Sequence, residues 1–367
     1  MKTEAINRQV VTARSFRKAT QSDIAREAGV SVATISNFLA GRSGACAPET
    51  AQRIEEAVEK LHYVPNSLER SLRLGKTKCL GVSAGNGEDD YQSSRDSFGI
   101  RFWTGAFHVA SERDYSMLLY PVSARDGLNA SAYLDGRVDG FIMMARAGDP
   151  RLEKIVAAGM PAVFTDVEPD LLPRDCGAVY CDENLTAALA LDYLTELGHR
   201  RIAHLSAQLS EDPGIEESSI SIRRTRGYKI WMQKRGCYDP GLVELSGGWN
   251  GGRIAEAVRT LFDRPDRPTA LFCANDRIAW NAIEILKGMG LSVPGDVSVV
   301  GVDHYLSEDR SLPILTTVDI PVVKMGEEAV RTLFKLLDGA AVADCRVVIP
   351  VTRLVEGNTT APVALLR

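Results

Sequence analysis

The residues best equipped for chemistry in this chain are few and far apart. Five histidines (His62, His108, His199, His204 and His304) show no H-E-x-x-H or other ligand spacing, and seven cysteines (Cys46, Cys79, Cys176, Cys181, Cys237, Cys273 and Cys345) never form a C-x-x-C pair. That pattern predicts no metal centre, and the thiols read as small buried hydrophobes in a reducing compartment. Asp303-His304 is the one tempting acid–imidazole pair. With no nucleophile elbow and no carboxylate pair beside it, it reads as a hydrogen-bonding group at a cleft edge. No G-x-G-x-x-G follows the first strand-like run, and no G-x-x-x-x-G-K-[ST] occurs. The glycines of SGGWNGG are too irregular for a phosphate loop. The chain is therefore expected to be no enzyme and to hold no cofactor. Reversible binding remains: Asn275 and Asp303 close the apolar runs ALFCA and VSVVGV, where polar side chains can converge on a ligand.

The elements that must position these residues belong to a chain of 367 residues, enough for two or three domains. With 45% hydrophobic and 25% charged residues it is globular rather than disordered or fibrous. No apolar run approaches the ~18–20 residues of a membrane span, and the N-terminus lacks the apolar core of a secretory signal. A cytoplasmic protein without a membrane partner is expected. Charge is shared unevenly. Residues 1–78 carry 13 basic and 8 acidic side chains, whereas the remainder carries 30 and 40. A basic head on an acidic body predicts that only the head meets a polyanion.

Within the head, Thr20-Gln21-Ser22-Asp23 fits a capping box, Ile24, Ala25 and Ala28 give one apolar face, and Gly29 ends the helix. Ser31 can cap a second helix to about Leu39, with Ile35, Phe38 and Leu39 inward and Val32, Ala33, Ser36 and Asn37 outward. A third helix starts near Pro48 and turns Ile54, Ala57, Val58 and Leu61 to the same core. Two short helices joined by a glycine turn describe a helix-turn-helix, although any antiparallel helix pair would share the pattern. After YVPN, the segment SLERSLR makes barely two turns, a length marginal in water unless something holds it.

The body alternates apolar runs (CLGVSA, SMLLYPV, VDGFIMM, PAVFTDV, GAVYCD, RIAHLS, ALFCAN, VSVVGVD) with amphipathic stretches, which predicts parallel sheets covered on both faces. A solute receptor for a transporter could use such a body, but it would need a secretory signal and no helix-turn-helix.

DIAREAGVSVATISNFLAG, then YVPNSLERSLRLGKTKCLGV, resembles the headpiece and hinge of the LacI/GalR (lactose-repressor) family of bacterial transcription regulators, and the resemblance continues to about Gly357. It implies an α/β protein: a three-helix headpiece and a two-lobed periplasmic-binding-protein-like core of two Rossmann-like parallel sheets. The implied divisions are an extension over 1–19, the headpiece over 20–64, a hinge over 65–77, the core over 78–357 and a tail over 358–367. Lobe 1 would take ~78–180 and 319–350, lobe 2 ~181–318 and 351–357, with crossovers near Val179–Asp182, Thr317–Asp319 and Ile349–Val351. The implied function is a repressor, a homodimer on near-palindromic double-stranded operator DNA, modulated by a small sugar-like effector between the lobes.

By the same resemblance Val32, Ala33 and Asn37 face the bases, Thr20, Ser31, Thr34 and Ser36 position phosphates, and Leu72 wedges into the minor groove. Arg224 occupies the arginine of the family's R-x-x-G-[YW] pattern, and Trp249 stands where relatives stack an aromatic on a sugar. Arg224, Trp249, Asn275 and Asp303 are thus the expected effector residues. Each has another reading: a surface charge, a lobe-packing ring, a helix cap and a loop holder. The chain departs from the family in its long acidic insert at 85–98, its acidic segment Glu211–Ser221, and a leader that could be a basic arm or disordered.

Overall fold

The computed structural model describes residues 18–42, 46–65, 71, 75–84, 97–120, 133–144, 149–207, 220–247, 253–304, 313–351 and 353–363. Chain contacts separate two units, Met1–Thr77 and Lys78–Arg367.

The first unit holds α1 (Gln21–Ala28), α2 (Val32–Leu39) and α3 (Pro48–Lys60). The capping box forms: the Asp23 amide donates to Thr20 Oγ1 at 3.3 Å, and the Thr20 amide donates to Asp23 Oδ2 at 3.0 Å. Gly29 adopts φ 65°, the left-handed conformation that ends α1 without a Cβ penalty. Ser31 Oγ accepts the Thr34 amide at 3.1 Å and so starts α2. Ile24, Ile35 and Ile54, one from each helix, are wholly buried and meet Ala25, Ala28, Ala57 and Tyr63. Three short helices become stable here because they share one apolar centre.

The second unit contains two six-stranded sheets. In chain order its elements are β1 (Cys79–Ala84), α4 (Ser97–Glu112), β2 (Ser116–Leu119), β3 (Gly140–Met144), α5 (Pro150–Ala157), β4 (Ala162–Thr165), β5 (Gly177–Cys181), α6 (Glu183–Glu196), β6 (Ile202–Ser206), α7 (Ile220–Lys234), β7 (Val243–Leu245), α8 (Ile254–Phe262), β8 (Ala270–Cys273), α9 (Asp276–Gly288), β9 (Ser298–Val302), β10 (Thr316–Asp319), α10 (Val322–Leu337), β11 (Arg346–Ile349) and β12 (Arg353–Val355). The first sheet runs β11-β5-β4-β3-β1-β2 and the second β12-β10-β9-β8-β6-β7. Every pairing is parallel except β10 with β12, which is antiparallel. The chain passes between the sheets after β5, after β10 and between β11 and β12.

Alternation along the buried strands supplies both faces of each sheet. In β9, Val300 joins the core beneath α6 and α7, while Val299 joins that beneath α8 and α9. In the first sheet Ile142 faces α4 and α10, and Phe141 and Met143 face the core containing Leu152 and Ile155 of α5. The expected two-lobed α/β fold is present, with an antiparallel edge strand that the apolar runs did not announce.

α4 and α10 cross almost in backbone contact. A Cβ added at Gly105 would collide with the Val323 carbonyl, and one at Gly326 with the Phe102 carbonyl. This closeness sets where α4, and Arg101 upon it, stands. Gly326→Ala is therefore expected to cost about 1–3 kcal/mol or more in urea unfolding. Gly288→Ala, at a helical site with nothing within 4 Å, should be neutral or mildly stabilising.

Candidate nucleic-acid interface and ligand cleft

In the first unit, α2 turns Ile35 inward and leaves Val32 and Ala33 exposed, with Thr34, Ser36 and Asn37 half-buried. Asn37 is held by a neighbour the spacing did not single out: Arg42 Nη1 donates to Asn37 Oδ1 at 3.0 Å. The amide oxygen keeps a second lone pair and the amide nitrogen its two donors, so the group can still pair with a base edge. Thr20 and Ser31 are occupied as caps, and Thr34 Oγ1 lies 2.9 Å from Ser31 Oγ. Any contact these hydroxyls make with phosphate is added to, or exchanged for, those bonds. Leu72 lies outside the described residues.

In the second unit, polar groups gather where strands of both sheets end. Arg224, on the first turns of α7, is 3% exposed. Its Nε donates to Glu183 Oε2 at 2.6 Å, Nη1 to the Ala274 carbonyl, and Nη2 to Asp303 Oδ1 at 3.4 Å. Glu183 opens α6 just after the first crossover, Ala274 follows β8 and Asp303 follows β9. Asn275 is buried at the same edge, but its Oδ1 accepts the Ile278 amide at 2.8 Å, which spends that oxygen on capping α9. Arg224 and Asp303 are thus brought together with Asn275 beside them, while Trp249 lies outside the described residues.

Lobe 1 contributes Asp166, one residue beyond β4, in a left-handed conformation with φ 67°. Its carbonyl accepts from Arg223 Nη2 at 2.6 Å, a bond that spans the lobes. Burial pushes the Asp166 carboxyl up to about 7; Glu183 and Asp303 add to the rise, and Arg223 and Arg224 oppose it. Further along, Arg101 of α4 donates to the carbonyls of Asp303 and His304 at 3.1 and 3.2 Å. Asp303 and His304 hold φ of 100° and 53°, sparsely populated values for residues with a Cβ. Asp319, at the end of β10, meets Arg353 at 2.9 Å, His304 at 3.4 Å and Arg101 at 3.5 Å. His304 therefore pairs with Asp319, not with its sequence neighbour.

Beneath this edge His204 is wholly buried. Its Nδ1 lies 3.0 Å from the Phe272 carbonyl, so that nitrogen carries the proton and Nε2 accepts from Thr225 at 3.0 Å. Burial pushes its pKa down to about 4. No cluster of metal-ligating side chains occurs among the described residues. The cleft can therefore bind and orient a hydroxylated or charged ligand through buried donors and acceptors. Asp166, Glu183 and Arg223 were absent from the expected site. Asp166 directly follows the run AVFT, so the strand-end rule that selected Asn275 and Asp303 also pointed to it, whereas Glu183 stands one residue further on, behind Asp182. Arg223 lies four residues before Gly227, on the buried side of α7.

Comparison with known proteins agrees with this division. Residues 20–66 match the family model "Bacterial regulatory proteins, lacI family", and residues 191–360 match "Periplasmic binding protein-like domain". The HTH-type transcriptional regulator AscG of Escherichia coli (strain K12) is 32% identical, covering 87% of this chain and 92% of that protein. The ribose operon repressor of the same strain is 29% identical, covering 86% and 92%. A solved transcriptional regulator CelR–cellobiose complex is 26% identical with a TM-score of 0.66, covering 93% and 100%. No helix among the described residues is long and apolar enough to cross a membrane.

Asp166 gives the cleft a pH signature. An acid whose folded pKa lies above its unfolded value of 3.8 loses stability as pH rises through the interval up to about 7. Asp166→Asn should raise the unfolding free energy at pH 8 by roughly 2–4 kcal/mol, and by much less at pH 5. Comparing variant with wild type at each pH cancels the opposite slope of His204, whose contribution fades as pH falls from about 6.5 to 4.

Proposed function

The chain belongs to the lacI family of bacterial regulatory proteins, a DNA-binding transcription regulator, and from that premise we propose a repressor that binds near-palindromic operator DNA as a homodimer and responds to a small sugar-like effector between its lobes. The observation that carries the reading is the pairing of two features. One is a capped two-turn helix presenting small, uncharged side chains from a basic unit. The other is a buried polar cleft in an acidic, two-lobed body.

Val32 and Ala33 suit thymine methyl groups, and Asn37, steadied by Arg42, suits adenine. Thr20, Ser31, Thr34 and Ser36 fix the phosphates, Arg42 adds a charge there, and Leu72 keeps its role as minor-groove wedge. One such helix covers too few base pairs to be selective, and two-fold repetition doubles the reading and sets the half-site spacing. In the cleft Arg224, Asp303 and Asn275 offer a guanidinium, a carboxylate and an amide, with Trp249 as the stacking ring. That set suits a polyhydroxylated ligand, and the similar transcriptional regulator CelR has been solved in complex with the sugar cellobiose. Acting as an enzyme is not part of this reading. The cytoplasm, where the operator lies, is.

Two measurements test it. Asn37→Ala should weaken operator binding by roughly 1–3 kcal/mol and relax preference at one position per half-site, whereas Arg42→Ala should weaken operator and random DNA alike and reduce the salt slope. Equal losses for Asn37→Ala on both DNAs contradict the base assignment. For the cleft, Asp303→Asn and Arg224→Gln keep much of the local shape. Both should lose at least about tenfold in the operator response to cellobiose or other sugars found by thermal shift. An unchanged response in both variants places the effector elsewhere.

A further inference from the structure

We propose that the cleft ligand carries an anionic group, a carboxylate or a phosphate, and that Arg223 receives it. The inference rests on the cleft being the effector site and goes further by naming the ligand's charge and its receptor. Arg223 is 2% exposed, yet its one described hydrogen bond runs from Nη2 to the Asp166 carbonyl. Nε and Nη1 are buried without a partner. Among the described residues no carboxylate forms an ion pair with it.

Arg224, one residue on, is in the opposite condition. Glu183 and Asp303 both face it, and the Ala274 carbonyl takes its remaining arm. Glu183 and Asp303 are therefore committed to Arg224. Asp166 gives Arg223 its carbonyl as an acceptor, and its carboxyl, which burial pushes up to about 7 while the Arg223 charge lowers it, forms no ion pair with the guanidinium. A guanidinium has five donors and is always charged, so a buried one with idle donors and no ion-paired carboxylate is a binding group awaiting its partner. Its place on the first turns of a 15-residue helix adds the positive end of the helix dipole. A sugar hydroxyl could accept one of these bonds, but only an anion accepts them and also forms the ion pair that Arg223 lacks among the described residues. Since the Arg223–Asp166 bond links the lobes, the anion would dock on the very group that bridges them.

The test is thermal unfolding of the full chain with three neutral sugars and their anionic counterparts. D-Glucose is set against D-gluconate, D-glucuronate and D-glucose 6-phosphate, D-galactose against D-galacturonate, and D-ribose against D-ribose 5-phosphate. At least one anion should raise the midpoint while its neutral parent does not. Whether the carboxylates or the phosphates act identifies the group. Arg223→Met should abolish that rise, weakening apparent affinity by about tenfold or more, and Arg223→Lys should restore part of it. Without ligand, Arg223→Met should unfold at or above the wild-type midpoint, because the native arginine buries two nitrogens without acceptors and has no ion-paired carboxylate among the described residues. A midpoint well below wild type makes Arg223 a structural residue and overturns the proposal. A shift from a neutral sugar that survives Arg223→Met but is lost in Asp303→Asn also overturns it, while leaving the cleft as the effector site. Silence from every anion overturns it too, and the cleft reading is then judged by the operator response of the Asp303 and Arg224 variants.

Discussion

Arg224 carries a charge that cannot be hydrated where it lies, so three separate segments must deliver its acceptors: the start of α6, the residue after β8 and the residue after β9. Glu183 stands at the first crossover, so this cation ties the entry of the chain into lobe 2 to the strand ends that floor the cleft. Removing the cation would leave two buried carboxylates facing each other, a change that in proteins generally costs about 3–5 kcal/mol. The bond thus serves position more than stability. Tyr228, four residues on, turns inward with it and donates to the Ile202 carbonyl at 2.8 Å, which fixes the helix against the sheet.

The same edge stores strain. Asp303 and His304 sit side by side in left-handed conformations, and Arg101 from the other lobe clamps both carbonyls. Asp319 gathers Arg353, His304 and Arg101 at two of the three crossovers. A ligand that competes for any of these groups changes the energy of one lobe relative to the other, which is how a cleft can be read at a distance. The acidic body and basic headpiece divide the work accordingly: the excess of carboxylates keeps nucleic acid off the sensing half, and the charge that meets phosphate is confined to residues 1–78.

Much of this was legible in the sequence because it is local. Thr20-x-x-Asp23, Gly29, Ser31 and Pro48 each specify a helix end through contacts within four residues, and each element begins or ends where they indicate. The apolar runs announced the buried parallel strands, since a strand covered on both faces needs no alternation. β11 and β12 were harder, because half-exposed edge strands with Arg346 and Arg353 carry no such run. In the cleft, Arg224 and Asp303 were visible from motif and strand-end position. Arg223 was not, since RRTR reads equally as solvated charge; only the packing of α7 decides which arginines are buried. Arg226, in the same run, is the exposed one and pairs with Glu168. Asn275 shows the limit of position alone: one buried amide can face a cleft and cap a helix together.

The most direct test of the coupling between cleft and headpiece needs no effector. Operator recovered by selection from random duplexes is titrated with full-length wild type, Glu183→Gln and Asp303→Asn under one salt condition. If the groups around Arg224 set the arrangement of the lobes that the headpieces follow, both variants should change operator affinity by about fivefold or more while binding random DNA as wild type does. Operator affinities equal to wild type in both variants, with the body still folded, would contradict the account.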